Sequence, residues 1–185
     1  MEFLTQLWLP ILVSGVASFI ISALAWTVLP HHKKDWRGLP DPDAVQAAMR
    51  ANPPEVGQYS LPWARDARAF EDPAMKQRLA EGPRAFITIV PNGMPAMGPM
   101  MLKSVIYNVV VSLLVAYVTW HALGPEAPYL EVFRIAGTTA IMAYTLASVP
   151  DSIWFGRPWR TYGMQVIDGV AFGLVTAGVF GWLWP

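Results

Sequence analysis

Apolar residues gather in four blocks along this chain, each long enough to cross the hydrocarbon core of a bilayer, which takes about 20 helical residues. The first, LWLPILVSGVASFIISALAWTVL at 7–29, carries no charged side chain. The second is SVIYNVVVSLLVAYVTWHAL at 104–123; the third covers 130–149, with Glu131 and Arg134 near its start; the fourth covers 162–184 and holds one acid, Asp168. Between the first two blocks the pattern changes for 72 residues, 31–102, which hold nine basic and eight acidic side chains. Two helix starts stand out there, DPDAVQAAMRAN from Asp41 and DPAMKQRLAEG from Asp72. In each, Asp can cap free N–H groups, Pro suits the first helical position, and Asn52 or Gly82 stands where a helix stops. RAFITIV at 84–90 reads as a strand ended by the turn PNG, with GQYSL at 57–61 as its candidate partner in a small β-ribbon. The expected fold class is an all-α membrane protein: four transmembrane helices with a 72-residue cytoplasmic insertion between helices 1 and 2. The expected divisions are 1–30 for helix 1, 31–102 for the loop domain and 103–185 for helices 2–4.

Composition agrees with the pattern: 54% of residues are hydrophobic and 14% are charged, where soluble domains carry about 25% charged residues. The first block runs too long for a signal peptide and lacks a basic flank before it or a small-residue cleavage site after it. Twelve of the 13 Lys and Arg residues fall on one predicted side, which the positive-inside rule assigns to the cytoplasm. Both termini then face the periplasm. Indole rings prefer the membrane interface, and Trp8, Trp120, Trp182 and Trp184 fall at predicted outer ends, whereas Trp26, Trp36, Trp154 and Trp159 fall at or near inner ones. A net charge of zero gives no bulk attraction to nucleic acid, and the absence of cysteine excludes disulfides and thiolate chemistry.

No P-loop, GxGxxG, HExxH or GxSxG pattern is present, and no cofactor is called for. His31 and His32 are adjacent, so on a helix they would point about 100° apart and could not chelate one ion in the i, i+4 manner. They are kept as secondary metal-ligand or acid–base candidates, to be completed by Asp35, Asp41 or Asp43, against a simpler reading as a polar interfacial flank after Pro30. Asp168 lies about 9 Å inside the cytoplasmic end of the fourth block. Gln165, Asn108, Tyr107, Tyr144 and Thr145 fall at similar depth, forming an intramembrane polar cluster with Asp168. A carboxylate in hydrocarbon is costly, so it should face the bundle and accept hydrogen bonds, pair with a base such as Lys103, or take up a proton. It is either an ion- or proton-binding position or a clasp that fixes helix register.

Gly169, Gly173, Ala177 and Gly181 recur every four residues, a ridge that lets another helix approach closely, within one subunit or between copies. Arg157 and Arg160, flanked by Trp154 and Trp159 in the loop 149–163, suit phosphate headgroups of membrane lipids. The Met-rich stretch MPAMGPMML at 94–102 reads as an apolar return to the bilayer.

The phrases VLPHHKKDWRGLPDPDAV, FRIAGTTA, DSIWFGRPW and FGWLWP resemble a family of small, uncharacterised bacterial polytopic membrane proteins. The resemblance implies a bacterial cytoplasmic (inner) membrane location and brings no activity, cofactor or catalytic residue. The leading functional expectation is a non-enzymatic membrane subunit or scaffold, with lipids and either further copies of itself or a larger membrane complex as partners. The alternatives are a small channel or proton- or ion-coupled transporter using Asp168, and an inner-leaflet lipid-modifying enzyme using His31 and His32.

Overall fold

A computed structural model describes residues 2–185. Its elements in chain order are α1 (Glu2–Thr27), α2 (Pro42–Ala51), β1 (Gly57–Leu61), α3 (Pro73–Glu81), β2 (Ala85–Ile89), α4 (Met97–Leu123), α5 (Tyr129–Thr145), α6 (Val149–Trp154) and α7 (Trp159–Trp182). Four segments are long and apolar enough to cross a membrane: α1, α4, α7, and the run Tyr129–Trp154 that includes α5 and α6. The chain divides into two compact units, residues 2–36 with Ala96–Pro185, and Arg37–Pro95.

In the first unit α1 packs on α4, α4 on α5, α5 on α7 and α7 back on α1, which closes a ring of four helices. The inward and outward faces differ in the manner expected of a protein dissolved in lipid. On α1 the buried side holds Leu7, Pro10, Ile11, Ser14, Gly15, Ser18 and Ala25, whereas Leu9, Leu12, Val16, Ile20 and Leu24 are exposed. Most large apolar chains of α1 face out, and the buried side sets Leu7 and Ile11 among small or hydroxyl-bearing residues, because helices in a bilayer associate through close backbone approach and hydrogen bonds rather than through removal of oil from water. Gly15 illustrates the approach: a Cβ there would lie 2.9 Å from the Val109 Cα on α4.

Proline shapes the third crossing. Pro150 has no N–H and its ring clashes with the preceding turn, so α5 ends at Thr145, a 3₁₀ turn spans Leu146–Ser148, and α6 begins with Pro150 near its first position. The loop expected at 149–163 is therefore helical over its first part, and the turn proper lies between Trp154 and Trp159.

The predicted ridge is used within the subunit, between α7 and α5. A Cβ on Gly169 would meet Thr145 Cγ2 at 2.5 Å, one on Gly173 would run into Ile141, and one on Gly181 would lie 2.7 Å from the Tyr129 ring. Ala177 is fully buried, and its Cβ lies 3.0 Å from where a Cβ on Gly137 would stand.

In the unit Arg37–Pro95, both expected helices form. Asp41 accepts from the Ala44 N–H at 3.0 Å to cap α2, and Asp72 accepts from the Ala74 N–H at 2.9 Å to cap α3, with Gly82 at φ +64° ending it. β1 and β2 pair antiparallel, Gly57 opposite Ile89 and Leu61 opposite Ala85. No residue of this unit is buried. This separately folded segment is shorter than 31–102 at both ends. The Met-rich run joins α4 from Met97 onward because Pro99 is tolerated in a first helical turn, and residues 30–36 belong to the same unit as the four long apolar segments.

Candidate functional site

The turn that follows α1 carries the chemistry. The residue before a proline is pushed out of helical conformation, and Leu29, ahead of Pro30, is extended with ψ 143°. Pro30 then opens a 3₁₀ turn, Pro30–His32, closed by the Lys33 N–H on the Pro30 carbonyl at 3.1 Å and continued by the Asp35 N–H on the His32 carbonyl at 3.0 Å. The turn folds back onto α7.

Both imidazoles converge on one acid. His31 Nε2 lies 2.8 Å from Asp168 Oδ1 and His32 Nε2 lies 2.6 Å from Asp168 Oδ2. The second nitrogen of His32, Nδ1, lies 2.7 Å from Asp35 Oδ2. Arg160 then closes the network, donating from Nη1 to Asp35 Oδ1 at 2.6 Å and from Nη2 to the His31 carbonyl at 3.0 Å. The Trp26 indole stacks flat on the His32 ring, with centroids 4.0 Å apart and planes 3° apart. His32 is 6% exposed and Asp168 7%, the Asp35 side chain is 1% exposed, and the side chains of His31 and Arg160 reach solvent at 20% and 44%.

Proton counting relates the charges to one another. Both ring nitrogens of His32 face carboxylate oxygens, and a neutral imidazole has only one N–H to give, so hydrogen bonds to two ionised carboxylates call for an imidazolium. Burial alone would lower its pKa, but the hydrogen bonds and charges of Asp35 and Asp168 outweigh that and hold it above the usual histidine value. The Asp35 carboxyl is held below its usual value, first by the His32 hydrogen bond and then, against the opposing effect of burial, by the charges of His32 and Arg160. With both acids ionised, His32 and Arg160 balance Asp35 and Asp168.

The depth of the site follows from helix register. Ser18 on α1 and Thr176 on α7 share a hydrogen bond at 3.3 Å. Nine residues on from Ser18 is Thr27, the end of α1, and nine back from Thr176 is Ile167. Asp168 therefore stands level with the last turn of α1, at one edge of the bundle, where the Pro30 turn caps it.

The intramembrane cluster expected around Asp168 divides. Tyr144 donates to Asn108 Oδ1 at 3.0 Å, a separate bridge between α5 and α4, and Tyr107 lies edge-on to Tyr144 with its own ring exposed. Thr145 donates to the Ile141 carbonyl on its own helix. Gln165, one turn before Asp168, has a buried Oε1 with no hydrogen-bond partner among the described residues. Asp168 pairs with the two histidines, not with Lys103, and Asp41 caps α2. Arg160 is engaged by Asp35 and the His31 carbonyl, Arg157 lies 3.9 Å from Asp151, and Trp154 and Trp159 are exposed.

The expectation that adjacent histidines diverge holds for an α-helix. In the 3₁₀ turn their rings lie 4.1 Å apart, tilted by 41°, and both Nε2 atoms reach the same carboxylate. The ligand atoms offered by His31, His32 and Asp168 all lie within 4.8 Å of one another, a set able to hold a metal ion. The available signal was Pro30 itself, which disfavours a continued helix at Leu29, together with the need of a buried acid for donors. No family model, curated protein or solved structure matches this chain.

Proposed function

We propose that the chain is a multi-pass protein of a bacterial cytoplasmic membrane that holds one divalent transition-metal ion at the cytoplasmic edge of its helix bundle. His31 Nε2, His32 Nε2 and the Asp168 carboxylate are the ligands. The observation that carries this reading is the partner of the non-ligating nitrogen: His32 Nδ1 bonds Asp35, which Arg160 holds in turn. Metal-binding histidines are commonly oriented in this way, with the far N–H given to a carboxylate that fixes the tautomer and raises ligand basicity. Two imidazoles and a carboxylate suit zinc and its neighbours and leave a coordination position open. Ligand atoms around such an ion stand about 3.3 Å apart for bonds of about 2.0–2.1 Å, so the hydrogen-bonded N···O pairs at 2.8 and 2.6 Å must open slightly to admit the ion between them.

Metal analysis of the detergent-purified protein tests the reading. About one equivalent of a transition metal is expected in the native protein, with loss from His31→Ala, His32→Ala and Asp168→Asn. Full-length, folded protein that takes up no zinc, cobalt, iron or manganese refutes it.

A second reading is favoured by the charge balance of the hydrogen-bonded network. A charge-balanced, hydrogen-bonded knot can serve purely as a clasp tying the end of α1 to α7, in a membrane subunit or scaffold that joins copies of itself or a larger complex. That reading calls for stability losses in the same variants with no metal in the native protein. A transporter has less support: beyond His32 and Asp168, which belong to this one site, the buried polar residues of the bundle are hydroxyl-bearing side chains and Asn108, with no further carboxylate or base among the described residues.

A further inference from the structure

We propose that the open coordination position of this centre takes a phosphate oxyanion, of the kind borne by a phospholipid headgroup or by free phosphate. The inference rests on the metal reading given above. Its basis is charge. With neutral His31 and His32 and an ionised Asp168, a divalent ion leaves the centre at +1, because Asp35 and Arg160 cancel each other across their 2.6 Å contact. An uncompensated positive charge in a mostly buried site calls for an anion.

The way in is on the flank of His31 and Arg160, the two members of the network with solvent-reaching side chains. The same turn presents Lys33 and Lys34, both exposed, so the entrance is cationic beyond the centre itself. Gln165 supplies an independent indication. Its Oε1 is buried and unpartnered one turn before Asp168 on α7, and therefore on that side of the helix. A buried acceptor without a donor is costly, and the O–H of a protonated phosphate oxygen or of a metal-bound water is a donor of the kind it lacks. Trp26 against the site, with exposed Trp36 and Trp159 near it in sequence, is consistent with placement at the headgroup level of a bilayer.

The test uses the full-length protein in detergent, loaded with cobalt(II), whose visible absorption bands report the ligands around the ion. Inorganic phosphate, dihexanoyl phosphatidic acid and the uncharged dihexanoylglycerol are titrated separately. The expected result is a saturable band shift with one or both phosphate probes and none with dihexanoylglycerol. It should be several-fold weaker in Lys33→Gln/Lys34→Gln, whose cobalt affinity stays unchanged. Saturation by phosphatidic acid at a tenfold or lower concentration than inorganic phosphate assigns the headgroup; the reverse order assigns free phosphate. Cobalt bound through His31, His32 and Asp168 with bands that neither phosphate probe alters overturns this inference and leaves the metal reading standing. Failure of the folded protein to bind cobalt overturns both.

Discussion

Replacing Asp168 with Asn keeps the shape of the side chain and removes the charge that two imidazoles share. In the hydrogen-bonded network the carboxylate lies 2.8 Å from His31 Nε2 and 2.6 Å from His32 Nε2. An amide offers one acceptor oxygen and one donor NH₂, so one imidazole must exchange its N–H for a lone pair. Two charge-assisted bonds worth about 1.5–3 kcal/mol each become neutral ones of about 1 kcal/mol. The loss should stop short of the roughly 3–5 kcal/mol seen when a buried pair is broken outright, because His32 can shed its proton and leave Asp35 and Arg160 balanced. We expect destabilisation of about 2–3 kcal/mol, measured without metal by reversible unfolding in mixed detergent micelles at about pH 6.

The pH dependence supplies a second readout. The His32 pKa is raised in the folded state, so its contribution is complete below the ordinary value of 6.5 and fades as pH rises through the folded value. The Asp35 pKa is depressed, so its contribution is present above the ordinary 3.8 and is lost as pH falls through the folded value. Wild-type stability should therefore be greatest in mild acid, between those two ordinary values, and decline into the alkaline range. Asp168→Asn should flatten much of that decline. A variant within about 0.5 kcal/mol of wild type at about pH 6, or one with an undiminished slope, would refute the charge assignment.

Arg160→Lys removes the two-pronged hold on Asp35 and the His31 carbonyl, and zinc affinity measured by chelator competition should fall by about 10–100-fold; unchanged affinity would show that the arginine does not orient the ligands. Gly173→Ala drives a methyl group into Ile141 on α5 and should cost about 1–3 kcal/mol in the same unfolding assay, whereas Gly178→Ala, which meets nothing within 4 Å, should be near neutral. Tyr144→Phe removes the bond to Asn108 and should cost about 0.6 kcal/mol, the typical worth of an interhelical hydrogen bond in a membrane protein, with metal content unaffected.

The crossings were legible because twenty-odd apolar residues in a row have few other uses, and the caps at Asp41 and Asp72 because a helix start depends on neighbours only two or three residues away. The ridge Gly169, Gly173, Ala177 and Gly181 was visible as a spacing, but its partner was not, since many apolar helices can receive small residues and only packing selects α5. The site was the hardest part to see. His31 and Asp168 are 137 positions apart, and their meeting depends on how Pro30 redirects the chain and where α1 ends against α7. Reading the two histidines as helical separated them, and the arginine assigned to headgroups proved to be occupied by Asp35. Grouping Asn108 and Tyr144 with the acid by depth alone overlooked that residues at one level can face different neighbours.

Gly169 follows Asp168 directly, and its bare backbone sits against Tyr144 and Thr145 with no space for a methyl group. The helix that contributes nothing to the cluster thereby decides how far the carboxyl group stands from the imidazoles. Sequence changes along the Tyr129–Thr145 stretch could widen or narrow the spacing between nitrogen and oxygen while leaving every coordinating residue in place, and so retune which ion fits.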